Sequence, residues 1–72
     1  MYRVYSGSYK NETYALQHSF ELFLNGYECV GVKVGNFIRI QVGEFSSLKN
    51  AEYLVKLLEA DGFTGFIEEE EI

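Results

Sequence analysis

The chain states one pattern twice, and this repetition limits its possible folds more than any other property. Displaced by 36 residues, the sequence sets Arg3 on Arg39, Gly7 on Gly43, Tyr9 on Phe45, Ala15 on Ala51, Leu22 on Leu58, Gly26 on Gly62 and Tyr27 on Phe63, with no gap. Self-similarity at a fixed period marks one supersecondary unit used more than once. In a chain of 72 residues neither copy can bury its apolar surface alone, so the two must share a core. Domains of this size bury only about 60% of their unfolded surface.

Each copy reads strand, helix, strand. "YRVYS" and "FIRIQV" are rich in β-branched and aromatic residues, and a glycine closes each. Asn11 and Ser47 stand at matching positions before helical stretches, and both are good N-caps. They predict helices from about Glu12 to Asn25 and from about Leu48 to Asp61, with Gly26 and Gly62 just past the ends. "YECVGVKV" and "FTGFIE" supply second strands. Gly35-Asn36 between them predicts a two-residue hairpin turn. The expected fold is α+β in the order β-α-β-β-α-β, ferredoxin-like or RNP-like: a four-stranded antiparallel sheet with both helices on one face. The two units cover about 2–34 and 37–67, giving a domain over 1–67. Residues 68–72 hold Glu68 to Glu71 and read as a solvated acidic tail, because adjacent like charges repel.

Composition narrows the function. Hydrophobic residues make up 47% and aromatic ones 17%, enough for a core and too much for disorder. The net charge is −5, and four of the carboxylates sit in the terminal run. The body is therefore close to neutral, which argues against nucleic acid, whose binding rests on clustered Lys and Arg. No apolar run reaches membrane-spanning length, so no membrane partner is expected. No basic-plus-apolar leader is seen, and the size suggests a domain of a larger protein. Cys29, the sole cysteine, can form neither an internal disulfide nor a Cys-type metal site, and reads as a small packed hydrophobe. His18, the sole histidine, falls where the other copy has Leu54 and reads as a half-exposed structural residue. Spacing suggests no Ser or Cys partner for it, and no cofactor or metal motif is seen. No catalytic constellation appears, and no spacing positions a pair of carboxylates for glycoside cleavage.

Alternation along the strands assigns the faces. Ile38, Ile40 and Val42 are uniformly aliphatic and should meet the helices, leaving Phe37, Arg39 and Gln41 on the open side. In the first strand Val4 should face in, with Arg3 and Tyr5 out. In the second, Val30, Val32 and Val34 are expected inside and Cys29, Gly31 and Lys33 outside. In the last, Phe66 is expected inside, with Gly65 and Ile67 outside. Aromatic, guanidinium and amide groups on a broad surface suit a flat polar ligand, since rings stack and arginine forks grip carboxylates. The same residues also suit an ordinary solvated sheet face.

The stretches "YRVYSGSYKNETYA" and "FIRIQVGEFSSLKNAEYLVKLLEADGF" resemble the SPOR (sporulation-related repeat) family, whose pattern of Gly-x-aromatic-Ser, helix with Ala, then Gly-aromatic occurs twice. The second copy is the nearer match and the resemblance covers almost the whole chain. It implies a non-catalytic module that binds bacterial peptidoglycan, preferring glycan strands stripped of stem peptides. It implies a place outside the cytoplasm, in the wall or periplasm at septa, within a larger exported protein such as an amidase or a division protein. It implies a ligand on the open sheet face. Carried over residue by residue, the family's serine is kept as Ser8, its strand-three aromatic is matched by Phe37, its arginine by Arg39 and its last-strand aliphatic by Ile67. The family's first-strand glutamine falls instead on Tyr5, while Gln41 holds the matching place in the second copy. With Arg3 beside them, the candidate glycan-binding residues are Arg3, Tyr5, Ser8, Phe37, Arg39, Gln41 and Ile67. Arg39, joined by Arg3, would pair with the lactyl carboxylate that peptide removal frees, and Phe37 and Tyr5 would stack on sugar rings.

The two helices differ. Helix two sets Ala51, Leu54, Val55 and Leu58 opposite Glu52, Lys56 and Glu59; helix one places Leu16, Phe20 and Phe23 at those charged positions. Either helix one slips by a residue and buries them, or they contact a second copy or another domain. Two other functions fit the element order: an RNA-recognition-like module and a protein-interaction domain using the open sheet or this helix face.

Overall fold

The computed structural model describes residues 1–71. Six elements follow one another: β1 (Tyr2–Tyr9), α1 (Glu12–Leu24), β2 (Val30–Val34), β3 (Phe37–Phe45), α2 (Leu48–Ala60) and β4 (Phe66–Glu69). All strand pairings are antiparallel, in the order β2-β3-β1-β4. The first strand of each copy is thus central and the second lies at an edge. The fold class and element order are those the repeat predicts.

Both caps form as expected. The Asn11 side-chain oxygen accepts from the Thr13 and Tyr14 amides at 2.8 and 3.4 Å, and Ser47 Oγ accepts from the Asn50 amide at 3.4 Å. These satisfy amides that have no partner within the helix. At the other ends the amides of Tyr27 and Phe63 return to the carbonyls of Leu22 and Leu58 at 3.0 and 2.8 Å. Both copies therefore leave their helices at the same repeat position.

The buried core is built from repeat partners: Val4 with Ile40, Ala15 with Ala51, and Leu22 with Leu58. Tyr9, Phe45, Tyr27 and Phe63 pack around it, and the Tyr27 and Phe63 rings meet edge to face at 6.1 Å. His18 has the structural role expected of it. Its Nε2 lies 2.9 Å from Ser6 Oγ, and its ring packs near Tyr9 and Phe63.

The repeated glycines mark irregularities in the central strand pair. Register shifts fall between Val4 and Tyr5 and between Tyr5 and Ser8. The first inserts an extra residue in β3 and the second an extra residue in β1, so the two cancel. Gly7 adopts a φ of 84°, outside the range of most side-chain-bearing residues. A Cβ on Gly43 would stand 2.8 Å from Leu54 Cδ2 and 2.9 Å from Phe45 Cε2.

The structure corrects two expectations and decides a third point that the sequence left open. The phases of both edge strands are the reverse of those read from alternation. Val30, Val32 and Val34 oppose Gln41, Arg39 and Phe37, and directly opposed residues share a face, so the valines look to the open side. Likewise Phe66 opposes Tyr5 on the open side, and Ile67 opposes Val4 and packs on the core. Small residues hold the inward positions because the neighbours press close there. A Cβ on Gly65 would meet Leu58 and Val55 at 3.3 Å, and one on Gly31 would meet Ile38 at 3.3 Å. The acidic run is not wholly a tail, since Glu68 and Glu69 belong to β4. The Glu70 amide also donates to the Met1 carbonyl at 2.8 Å. Pairing with arginines, described below, offsets the mutual repulsion of these carboxylates. Ile72 lies outside the described residues. Finally, α1 does not slip. It buries Ala15 and Leu22, as α2 buries Ala51 and Leu58, and leaves Leu16, Phe20 and Phe23 exposed.

Candidate functional site

The strand register fixes what the open face presents. From one edge to the other stand the β2 valines, then Phe37, Arg39 and Gln41 of β3, then Arg3, Tyr5 and Ser8 of β1, then Phe66 and Glu68 of β4. The face has two unlike halves. On the β2 side it is apolar, with Val30 58%, Val34 39% and Phe37 43% exposed. Lys10 holds its ammonium 5.4 Å from the Phe37 ring centroid at the margin.

On the β1–β4 side it is ionic and built in layers. The Tyr5 and Phe66 rings stack at 5.3 Å. Over them lies the Arg39 guanidinium, 5.5 Å from one ring centroid and 5.8 Å from the other. Arg39 Nη1 then donates across β1 to Glu68 Oε2. A cation over two ring faces gains from their quadrupoles, and the carboxylate fixes its direction. Arg3 is held in the same manner, with Nη2 2.7 Å from Glu70 Oε2 and Nε 3.7 Å from Glu44 Oε2. Both arginines of the face are thus paired with carboxylates of the chain itself.

The structure brings most of the sequence-derived candidates together. Arg3, Tyr5, Ser8, Phe37, Arg39 and Gln41 all lie on the open face, and Phe37 and Arg39 stand at alternate positions of one strand. Tyr5 is there but only 2% exposed, lying beneath Arg39, so it supports the guanidinium and does not offer a free ring. Ile67 is on the opposite face, and its place is taken by Phe66, 39% exposed. Sequence reasoning missed Phe66, Glu68 and the valine row. The signal was present in the repeat itself: Cys29 and Gly65 occupy matching positions, and a small residue at that position in both copies marks the side that a helix crosses closely.

Among the described residues no group of three His, Cys, Asp or Glu side chains is placed to hold a metal ion. No helix of the described residues is long and apolar enough to cross a membrane. The face presents exposed rings and aliphatic groups on one side, and partly exposed ion pairs on the other.

Four strands backed by two helices, with one broad face left open, make an α+β open-faced sandwich. The same scaffold is found in the solution structure of the peptidoglycan-binding domain of the B. subtilis cell wall lytic enzyme CwlC, with a TM-score of 0.85 and 24% sequence identity, over 97% of this chain and 89% of that one. No protein-family model matches the chain, and no curated protein matches it.

Proposed function

We propose that this chain is a non-catalytic peptidoglycan-binding module whose open sheet face docks glycan strands lacking stem peptides. The observation that carries the proposal is the likeness, across nearly the whole chain, to a domain that binds peptidoglycan in a lytic enzyme. The face described above supplies fitting chemistry. Phe37 and Phe66 offer exposed rings for sugar faces, and Gln41 and Ser8 offer hydrogen-bonding groups between them. Arg39 binds a carboxylate already, that of Glu68. The lactyl carboxylate of a peptide-free muramic acid takes over that place. A stem peptide would convert the carboxylate to a neutral amide, and losing a charge-assisted hydrogen bond costs roughly 1.5–3 kcal/mol. In this reading the module directs a larger exported protein to septal or sporulation wall, where amidases leave such strands.

The test is retention on insoluble cell wall with and without amidase pretreatment. Binding should rise after pretreatment; Arg39→Ala should reduce it about tenfold or more, the factor set by loss of one such bond, and Phe37→Ala, which removes a stacking ring, should reduce it as well. Equal retention of parent and variants would sink the reading. Retention of single-stranded RNA in place of wall would favour the RNA-recognition alternative.

A further inference from the structure

The exposed stripe of α1 points to a second site, independent of the sheet face. Leu16 is 70% exposed, Phe20 62%, Phe23 68% and Leu24 66%. They are spaced i, i+4, i+7 and i+8, a single ridge over about two turns. The repeat provides an internal control. At the same positions α2 carries Glu52, Lys56, Glu59 and Ala60, which is how a solvated helix face of this fold looks. Both helices bury the same inner stripe, so the apolar residues of α1 are additions to an outer face that packing within the domain does not use. Beside the ridge runs a hollow lined by Ser19, Tyr27, Glu28 and Cys29, into which a neighbouring ridge can set.

We propose that this face pairs two copies of the chain through antiparallel contact of their α1 helices. Three observations favour a second copy over other occupants. The ridge itself contains no charge, but its surroundings are polarised: Lys10, Lys33 and Glu12 lie where α1 begins, and Glu21 and Glu28 lie towards its end. A two-fold axis across the helix sets the basic end of each copy against the acidic end of the other. The size also fits. Large side chains of this kind expose some 150–250 Å² each when free, so the ridge supplies about 500 Å² per copy and about 1,000 Å² in a pair, the lower bound for a specific interface. A membrane surface is a poor match, because α1 has no Lys or Arg to meet anionic headgroups. Since α1 lies on the layer behind the sheet, pairing through it leaves both open faces free.

Sedimentation equilibrium from micromolar to millimolar concentration tests the pairing. The parent should pass from monomer to dimer, and Phe20→Lys with Phe23→Glu should remain monomeric. Because these side chains make no use of the domain's own core, that variant should keep the parent's circular dichroism and denaturation midpoint, which separates lost pairing from lost folding. Lys33→Glu should weaken the dimer about fivefold, within the range for one rim charge pair, and adding Glu28→Lys should restore it. A parent that stays monomeric throughout, or a dimer indifferent to the Phe20 and Phe23 changes, overturns the proposal. So does a monomer that instead sediments with lipid vesicles. None of these outcomes depends on whether the sheet face binds glycan.

Discussion

Glu68 decides how much of Arg39 the open face leaves free for a ligand of the proposed kind. It holds Arg39 down over Tyr5 and Phe66, so the cation that should attract an anionic ligand is already occupied. The pair is partly exposed, with side-chain accessibilities of 27% for Arg39 and 54% for Glu68. Exposed ion pairs are worth only about 0.2–1 kcal/mol, so a well-placed external carboxylate can replace the internal one. Glu68→Gln should therefore tighten binding to amidase-treated wall by up to about fivefold, the factor corresponding to the upper end of that energy. It should leave binding to wall with intact stem peptides little changed, which a wall-binding isotherm on both materials would reveal. Equal tightening on both would mean that the carboxylate of Glu68 repels the polymer in general. Most of the candidate face was legible in the sequence. Phe37, Arg39 and Gln41 follow from the aliphatic row Ile38, Ile40 and Val42 between them, which leaves no doubt about the inner face. Glu68 was not legible, because four successive glutamates look like a solvated run until Arg3 and Arg39 are seen to receive them.

At the level of elements, the central strands and both helices could be read and the edge strands could not. A central strand has one face under helices and shows it by composition. In β2 the choice lay between three valines and the row Cys29, Gly31 and Lys33, and the fuller row was the wrong one. Close helix packing selects small residues at the inner positions, as Gly65 under Leu58 and Val55 illustrates. The helices are further tied at their C-terminal ends. The Tyr27 hydroxyl donates to Asp61 Oδ2 at 2.6 Å, joining the third residue past one helix to the cap of the other. This bond, with burial and the Asp61 charge adding to it, pushes the Tyr27 hydroxyl from 10.0 up to about 12. The folded state thus favours the protonated phenol. Its contribution is complete below the unfolded value of 10.0 and is lost as pH rises through about 12. Tyr27→Phe should lower the urea midpoint at neutral pH, and the gap between parent and variant should close across that alkaline window. A gap independent of pH would show that the hydroxyl contributes nothing through this bond.

For the molecule as a whole, duplication governs stability as well as shape. The core is three repeat-related pairs with few other fully buried side chains, so the two copies support each other and neither stands alone. Leu22 and Leu58 are both 0% exposed at equivalent positions. Truncating either to alanine should cost about 2–5 kcal/mol, and the two costs should be alike. A domain of this length has about 4–11 kcal/mol in total, so the double variant should be largely unfolded at room temperature. Chemical denaturation of the three variants checks this. A large inequality between the single variants would show that one copy dominates the core.

The hydrogen bonds between Met1 and Glu70 bring the start and finish of the described chain side by side. The hairpin at Gly35-Asn36 performs for β2 and β3 the junction that a short peptide between Glu71 and Met1 would perform for β4 and β1. Opening the first and closing the second would yield a circular permutant that again runs strand, helix, strand, strand, helix, strand, with its halves exchanged. To the backbone, the present order of the two halves is then one of two equivalent places to cut a ring.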